Sequence, residues 1–137
     1  MKIVAASMGA YTAVKLTKFY EVGKLVLIVP AIYDSTAYMV PFKEGFTQII
    51  RYPRSWVRSD AWSLLAGYNG DLMIVGAEND EVIPAGVIEK LYASAINCRR
   101  RKIYVAHGVS HLIFTQLRTR NAEEYERIMG MIVEILK

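Results

Sequence analysis

Lys24 to Pro30 reads KLVLIVP, and Asp71 to Gly76 reads DLMIVG. Neither run alternates apolar with polar residues, and both end at a turn residue. Short, unbroken runs of Val, Leu and Ile of this length are the mark of strands buried on both faces, as in parallel sheets covered by helices. A chain that carries them must supply a layer of helices on each side. The sequence between them supplies candidates. Lys2 to Ala6 (KIVAA) predicts a further strand, followed by a helix from Met8 to about Glu21, with Gly23 placed to end it. Pro84 opens a helix whose Val87, Ile88, Leu91, Tyr92 and Ala95 share one face. Lys102 to Ala106 (KIYVA) predicts a fourth strand. Asn121 caps a last helix, with Glu124 completing a capping-box pattern and Tyr125, Ile128, Met129, Ile132, Ile135 and Leu136 as its apolar stripe. Strand and helix alternate, which implies an α/β domain with a parallel sheet of about four strands and flanking helices.

The stretch from Ala31 to Gly70 breaks this alternation. It is rich in aromatics, interrupted by Pro41 and Pro53, and predicts short helices near Phe42–Arg51 and Ser59–Ala66, the second capped by Ser59. It reads as an insert between strands.

Length and charge narrow the function. The 137 residues suit one domain. The net charge of +4 is mild, and the one dense basic run, Arg99 to Lys102, is short and lacks interleaved aromatics. It reads as a solvated turn entering a strand, so no nucleic-acid partner is expected. One cysteine, Cys98, allows no intrachain disulfide and fits a reducing compartment, so a cytoplasmic location is expected. One Cys and two His make a poor ligand set, and no metal or cofactor is expected. No apolar segment is long enough to span a membrane. Met1-Lys2 and the following apolar residues resemble a weak signal peptide, but Lys15, Lys18 and the poverty of Leu and Phe argue against that reading.

Three chemistry-bearing residues fall just after predicted strands: Ser7 in AASMG, Asp80 in GAENDEVIP and His111 in HGVSHLIF. The carboxyl ends of parallel strands share one edge of the sheet, so loops after different strands can meet there. A serine hydroxyl becomes a useful nucleophile when an imidazole takes its proton. A carboxylate fixes the tautomer of that imidazole and stabilises its charge. The small residues Ala5 and Gly9 would leave room for a sharp turn at Ser7, and Met8 would offer its backbone N–H to a developing oxyanion. Other readings stand beside this one. Ser7 could be a helix cap. Glu78, Glu81 and Asp34 are rival acids, and His107 rivals His111.

In these segments the sequence resembles the α/β-hydrolase superfamily, in its serine esterase and lipase-like members. AASMG is similar to the G-x-S-x-G nucleophile elbow, with Ala5 in place of the first glycine. GAENDEVIP is similar to the segment bearing the triad acid, and HGVSHLIF to the histidine loop; the order Ser, Asp, His also matches. The resemblance covers the C-terminal half of that fold and implies a truncated version of it, with residues 31–70 as a lid. It implies a serine hydrolase acting on a carboxylic ester or similar small-molecule acyl substrate. Ser7 would be nucleophile, His111 base and acid, Asp80 orienting carboxylate, and the Met8 N–H an oxyanion donor. Tyr33, Tyr38 and Trp62 are candidate substrate contacts, among lid aromatics that include Phe42, Phe46 and Trp56. An acyltransferase or peptidase would use the same triad. The family's strands before the elbow, and the loop that supplies a second oxyanion donor, have no counterpart in these residues. The alternative is therefore a non-catalytic remnant or interaction module. The strand at residues 2–6 would be a sheet edge, to be covered by a second copy or by the missing half.

Overall fold

The computed structural model describes residues 1–137. Four strands, β1 (Lys2–Ala6), β2 (Lys24–Ile28), β3 (Asp71–Ala77) and β4 (Arg100–Ala106), form one sheet in sequential order. All neighbouring pairs are parallel. The helices are α1 (Gly9–Leu16), α2 (Glu44–Arg51), α3 (Ala61–Ala66), α4 (Ala85–Ser94), α5 (Ile113–Arg120) and α6 (Ala122–Leu136). The fold class expected from the apolar runs is the one observed.

The two central strands divide their side chains between two cores. Leu25 and Leu27 of β2 and Leu72 and Ile74 of β3 point to one face, where they meet Ala10, Tyr11 and Val14 of α1, Leu65 of α3, and Val87, Ile88 and Leu91 of α4. Val26, Ile28, Met73 and Val75 point to the other, against Ile113 and Leu117 of α5 and Ile128, Ile132 and Ile135 of α6. This is the strand period of two applied to residues that are apolar at every position. Gly76 has a packing role: a Cβ there would stand 2.5 Å from Ile88 Cδ1, so glycine lets α4 close onto β3. The outer strands β1 and β4 are the two edges. On β1, Val4 is half exposed.

A buried carboxylate ties the strands together at their amino ends. Lys24, Asp71 and Arg100 are aligned in register across β2, β3 and β4. Asp71 is fully buried. It accepts from Lys24 Nζ at 2.6 Å, from Arg99 Nε at 2.7 Å and Nη2 at 2.9 Å, and from Arg100 Nη2 at 2.7 Å. The basic run is therefore not simply a solvated turn, because two of its four side chains neutralise this carboxylate. Arg101 turns away and donates to the Tyr92 carbonyl at 2.9 Å.

Several boundaries differ from the sequence reading. The first helix stops at Leu16 instead of reaching Glu21, because Thr17 donates its hydroxyl to the Val14 carbonyl at 2.6 Å and the next residues form a tight turn. Gly23 does not end that helix; it enters β2 and donates its N–H to Met1 O at 2.9 Å. A Cβ on Gly9 would meet nothing within 4 Å, so close packing is carried by Ala10 and Ala13 instead. The α5 helix was not anticipated, since its apolar residues are too few for a clear stripe. Asn121 does cap α6, accepting from Glu124 N–H at 3.1 Å. The return bond is absent, because the Glu124 carboxylate is engaged by Tyr104 and Arg127. No helix is long and apolar enough to cross a membrane.

The guanidinium of Arg99, then that of Arg100 and the ammonium of Lys24, hold the Asp71 carboxyl far below the usual carboxylate range. Replacing Asp71 by Ala is expected to cost about 3 kcal/mol of stability, the scale for breaking a buried ion pair from one side. The folded-state value lies below the ~3.9 of an unfolded aspartate. The contribution is therefore complete above that value and is lost as pH falls through the acid range. Urea unfolding at neutral pH and at about pH 3 should show a larger loss on acidification for the native protein than for Asp71→Asn.

Candidate functional site

The carboxyl ends of the strands gather the three residues. Ser7 follows β1 directly and has φ of 48°, in the left-handed region. Its N–H donates to Ile28 O at 2.9 Å, while its carbonyl accepts from Ala31 N–H at 2.9 Å and Ala10 N–H at 3.1 Å. Those bonds lock a sharp strand-to-helix turn and aim the side chain away from α1. The hydroxyl caps no helix N–H. Instead, Ser7 Oγ lies 2.9 Å from His111 Nε2. His111 Nδ1 lies 3.0 Å and 3.1 Å from the two carboxylate oxygens of Asp80. With its proton on Nδ1, the ring donates to Asp80 and accepts from Ser7. The side chains of His111 and Asp80 are 15% and 3% exposed, so the pair is shielded while Ser7 remains reachable.

Each member is held by its own loop. Asp80 Oδ1 accepts from the N–H groups of Val82 and Ile83 at 2.9 and 2.8 Å, which turns the carboxylate back toward His111. The His111 loop is fixed by Gln116. Its Oε1 accepts from Ser110 N–H at 2.8 Å, and its Nε2 donates to Ser110 Oγ at 2.7 Å. Gly108, at φ 69°, supplies the left-handed step that begins the loop. Gln116 escaped the sequence reading because it lies on the unanticipated α5. Val29, with φ of 40°, escaped it too. A β-branched residue is a costly occupant of that region. Here the kink redirects the chain from β2 so that Ala31 N–H reaches the Ser7 carbonyl.

The rival candidates lie elsewhere. His107 is exposed and faces Glu78 across 3.6 Å. Glu78 also accepts from Gly108 N–H, and that bond first, then His107, holds its carboxyl below the usual range. Glu81 meets the backbone N–H of His111 at 3.4 Å, not its ring. Asp34 accepts from Thr36 N–H at 2.9 Å and starts a 3-10 turn over Ser35–Met39.

The Met8 N–H, at the start of α1, donates to no acceptor within the chain. A cavity of about 440 Å³ opens beside Ser7 and Met8 and is walled by Tyr33, Trp56, Ile83 and Val87. Of the expected substrate contacts, Tyr33 lines it. Tyr38 and Trp62 do not. Tyr38 packs edge-on against Tyr11 at 4.9 Å between ring centroids and shares a hydrogen bond with Thr12. Trp62 donates Nε1–H to the Trp56 carbonyl at 3.1 Å. Tyr38 thus ties residues 31–70 to α1 while staying partly exposed, and Trp62 fastens the segment to itself and, beneath Lys90, to α4. Burial, and then the neighbouring Tyr38, raises the Tyr33 phenol to about 12, so it faces the cavity as a neutral O–H. Burial likewise raises the Cys98 thiol to about 11, which leaves it unreactive. No group of three or more His, Cys, Asp or Glu side chains is assembled that could hold a metal ion.

A four-stranded parallel sheet with helices on both faces and these loops at its carboxyl edge is an α/β-hydrolase fold. Solved structures bear this out. The chain superposes on a monoacylglycerol lipase from Paleococcus ferrophilus with a TM-score of 0.64 and 14% identity, covering 94% of this chain and 65% of the lipase. An esterase from Pyrococcus furiosus gives 0.63 and 14%, covering 99% of this chain and 55% of the esterase. A predicted CIB-like hydrolase from Thermoplasma acidophilum gives 0.60 and 16%, covering 96% and 49%. The chain thus spans about half the length of the last two. No family model and no curated protein sequence matches the chain.

The left-handed turn at Ser7 has a measurable cost. Glycine adopts that conformation freely, whereas a Cβ costs roughly 1–2 kcal/mol there. Ser7→Gly should therefore be more stable than Ser7→Ala by about 1 kcal/mol in urea unfolding, although both lose the bond to His111.

Proposed function

We propose that the protein is a serine hydrolase that cleaves a carboxylic ester or similar acyl substrate, with Ser7 as nucleophile, His111 as base and acid, and Asp80 as the orienting carboxylate. The observation that carries this reading is the unbroken chain of contacts from Ser7 Oγ through both ring nitrogens of His111 to Asp80. Ser7 Oγ attacks the carbonyl carbon while its proton passes to His111 Nε2. Asp80 keeps the ring in the required tautomer and stabilises the imidazolium. The carbonyl oxygen gains negative charge near the Met8 N–H, whose free donor supports an oxyanion role. Collapse breaks the bond to the leaving oxygen, which takes the proton from Nε2. Water then repeats the sequence against the acyl-serine, with His111 again as base, releasing the acid and free Ser7. Residues 31–70, which cover one side of the cavity, act in this reading as a lid.

One observation favours a second reading, a non-catalytic interaction module: the β1 strand is an open edge with half-exposed Val4. Such an edge would pair with a further strand or a second copy.

Labelling by a fluorophosphonate and turnover of a short-chain 4-nitrophenyl ester separate the two. For the hydrolase, both vanish in Ser7→Ala, and Asp80→Asn lowers turnover about 10³–10⁴-fold while leaving the fold intact. Labelling that persists in His111→Ala, or turnover indifferent to Ser7, sinks the catalytic reading.

A further inference from the structure

The cavity beside Ser7 is apolar along most of its wall, yet Arg51 and Arg54 also line it and are its only charged side chains. Neither forms an ion pair within the chain, in contrast to Arg99 and Arg100 on Asp71 and Arg127 on Glu123 and Glu124. Arg51 closes the last turn of α2, where a cation complements the helix dipole, so its presence there has an ordinary explanation. Arg54 is exposed and stands over Trp56 within cation–π range. It occupies the left-handed region at φ 56°, immediately ahead of a 3-10 turn over Ser55–Arg58, and its guanidinium carbon lies 5.9 Å from the Trp56 ring centroid. A non-glycine residue held in that region costs free energy that the surrounding structure must offset. Asp34 lines an adjoining cleft with Arg54 and Arg58, but its Oδ1 accepts from the N–H and hydroxyl of Thr36 and it forms an ion pair with neither arginine.

An apolar recess with two unpaired guanidinium groups selects a ligand with an apolar body and an anionic end, because arginine matches a carboxylate with paired donors. We propose that the substrate's acyl portion carries a carboxylate, held by Arg51 and Arg54, with its scissile carbonyl at Ser7. This inference rests on the hydrolase reading. The acyl side is favoured because it stays attached to Ser7 after the first step, while the alcohol must leave. The recess of about 440 Å³ is at the small end of ligand sites, which suits a short dicarboxylic monoester better than a long lipid chain.

The test compares mono-4-nitrophenyl adipate with 4-nitrophenyl hexanoate, which differ by the terminal carboxylate. Expected is a kcat/KM ratio favouring the adipate ester by at least about tenfold at low salt, shrinking as ionic strength screens the attraction. That ratio should fall about tenfold in Arg51→Gln/Arg54→Gln and stay unchanged in Arg118→Gln, on the remote α5. A ratio near one in the native protein, or one unaffected by the double substitution, overturns the proposal while leaving the hydrolase reading intact. Binding decides it independently of turnover. In folded Ser7→Ala, monomethyl adipate should shift the resonances of Tyr33 and Trp56 at concentrations where methyl hexanoate does not, and the double substitution should remove the effect. Equal binding of these two esters also overturns it. Failure of both nitrophenyl esters to turn over, with monomethyl adipate still selected, would count against hydrolysis and not against the anionic site.

Discussion

Asp71 is the one carboxylate with no exposure to solvent, and the sheet is organised around it. Its three cationic partners come from the first residue of β2, the first residue of β4 and the residue just before β4. A slip of one residue in any of these pairings would strip the carboxylate of a partner and turn every side chain of that strand to the opposite face. In strands that are apolar throughout, hydrophobicity alone discriminates poorly between registers, because either face would accept Val or Leu. The ion cluster supplies the missing discrimination. A buried ionic group used to fix register is the best attested role for such a group, since its net stabilisation against an apolar alternative is small.

Once the register is fixed at the amino ends, the carboxyl ends follow. Ala6 stands opposite Ile28, and Ala77 opposite Ala106, so the loops that bear Ser7, Asp80 and His111 start from a common edge. Fine positioning then comes from individual hydrogen bonds: the Ser7 carbonyl to Ala31 across two loops, and Asp80 to two N–H groups and Ser110 to Gln116 within single segments. Global register brings the loops within reach, and these short bonds set the last ångström. The strained φ values at Ser7 and Val29 belong to the second level, where a rigid sheet on one side tolerates an unfavourable backbone on the other.

This division explains what could be read from the sequence. The runs KLVLIVP and DLMIVG determine the class of fold, because burial on both faces has no other common source. The three candidate site residues can be selected because each follows a strand and the order is constrained. Asp71 could not be singled out, since a lone aspartate opening a strand looks like any turn residue until the register sets Lys24 and Arg100 beside it. The same reason hides the partner of Arg99 and Arg100 in a basic run that is otherwise solvated and leads into β4. Gln116 was hidden by the weak apolar stripe of α5. Aromaticity alone points to Tyr38 and Trp62, and it does not separate a cavity wall from a packing interface. Tyr33 and Trp56 line the cavity, while Tyr38 and Trp62 anchor the segment that encloses it.

The charge pattern of the whole molecule follows from the same arrangement. At the amino edge of the sheet, Lys24, Arg99 and Arg100 share Asp71, and on the connecting segment Lys15 is paired with Asp60 at 2.7 Å. Asp60 also accepts from the buried Tyr11 hydroxyl, which helps hold residues 31–70 against α1. Near Ser7, Asp80 contacts His111, and Asp34 accepts from Thr36. Arg51 and Arg54, which line the cavity beside Ser7, are left without an ion-pair partner in the chain. A net positive charge spread evenly over the surface would mean little. Two arginines on the rim of an apolar recess favour encounter with an anion and retention of its apolar part.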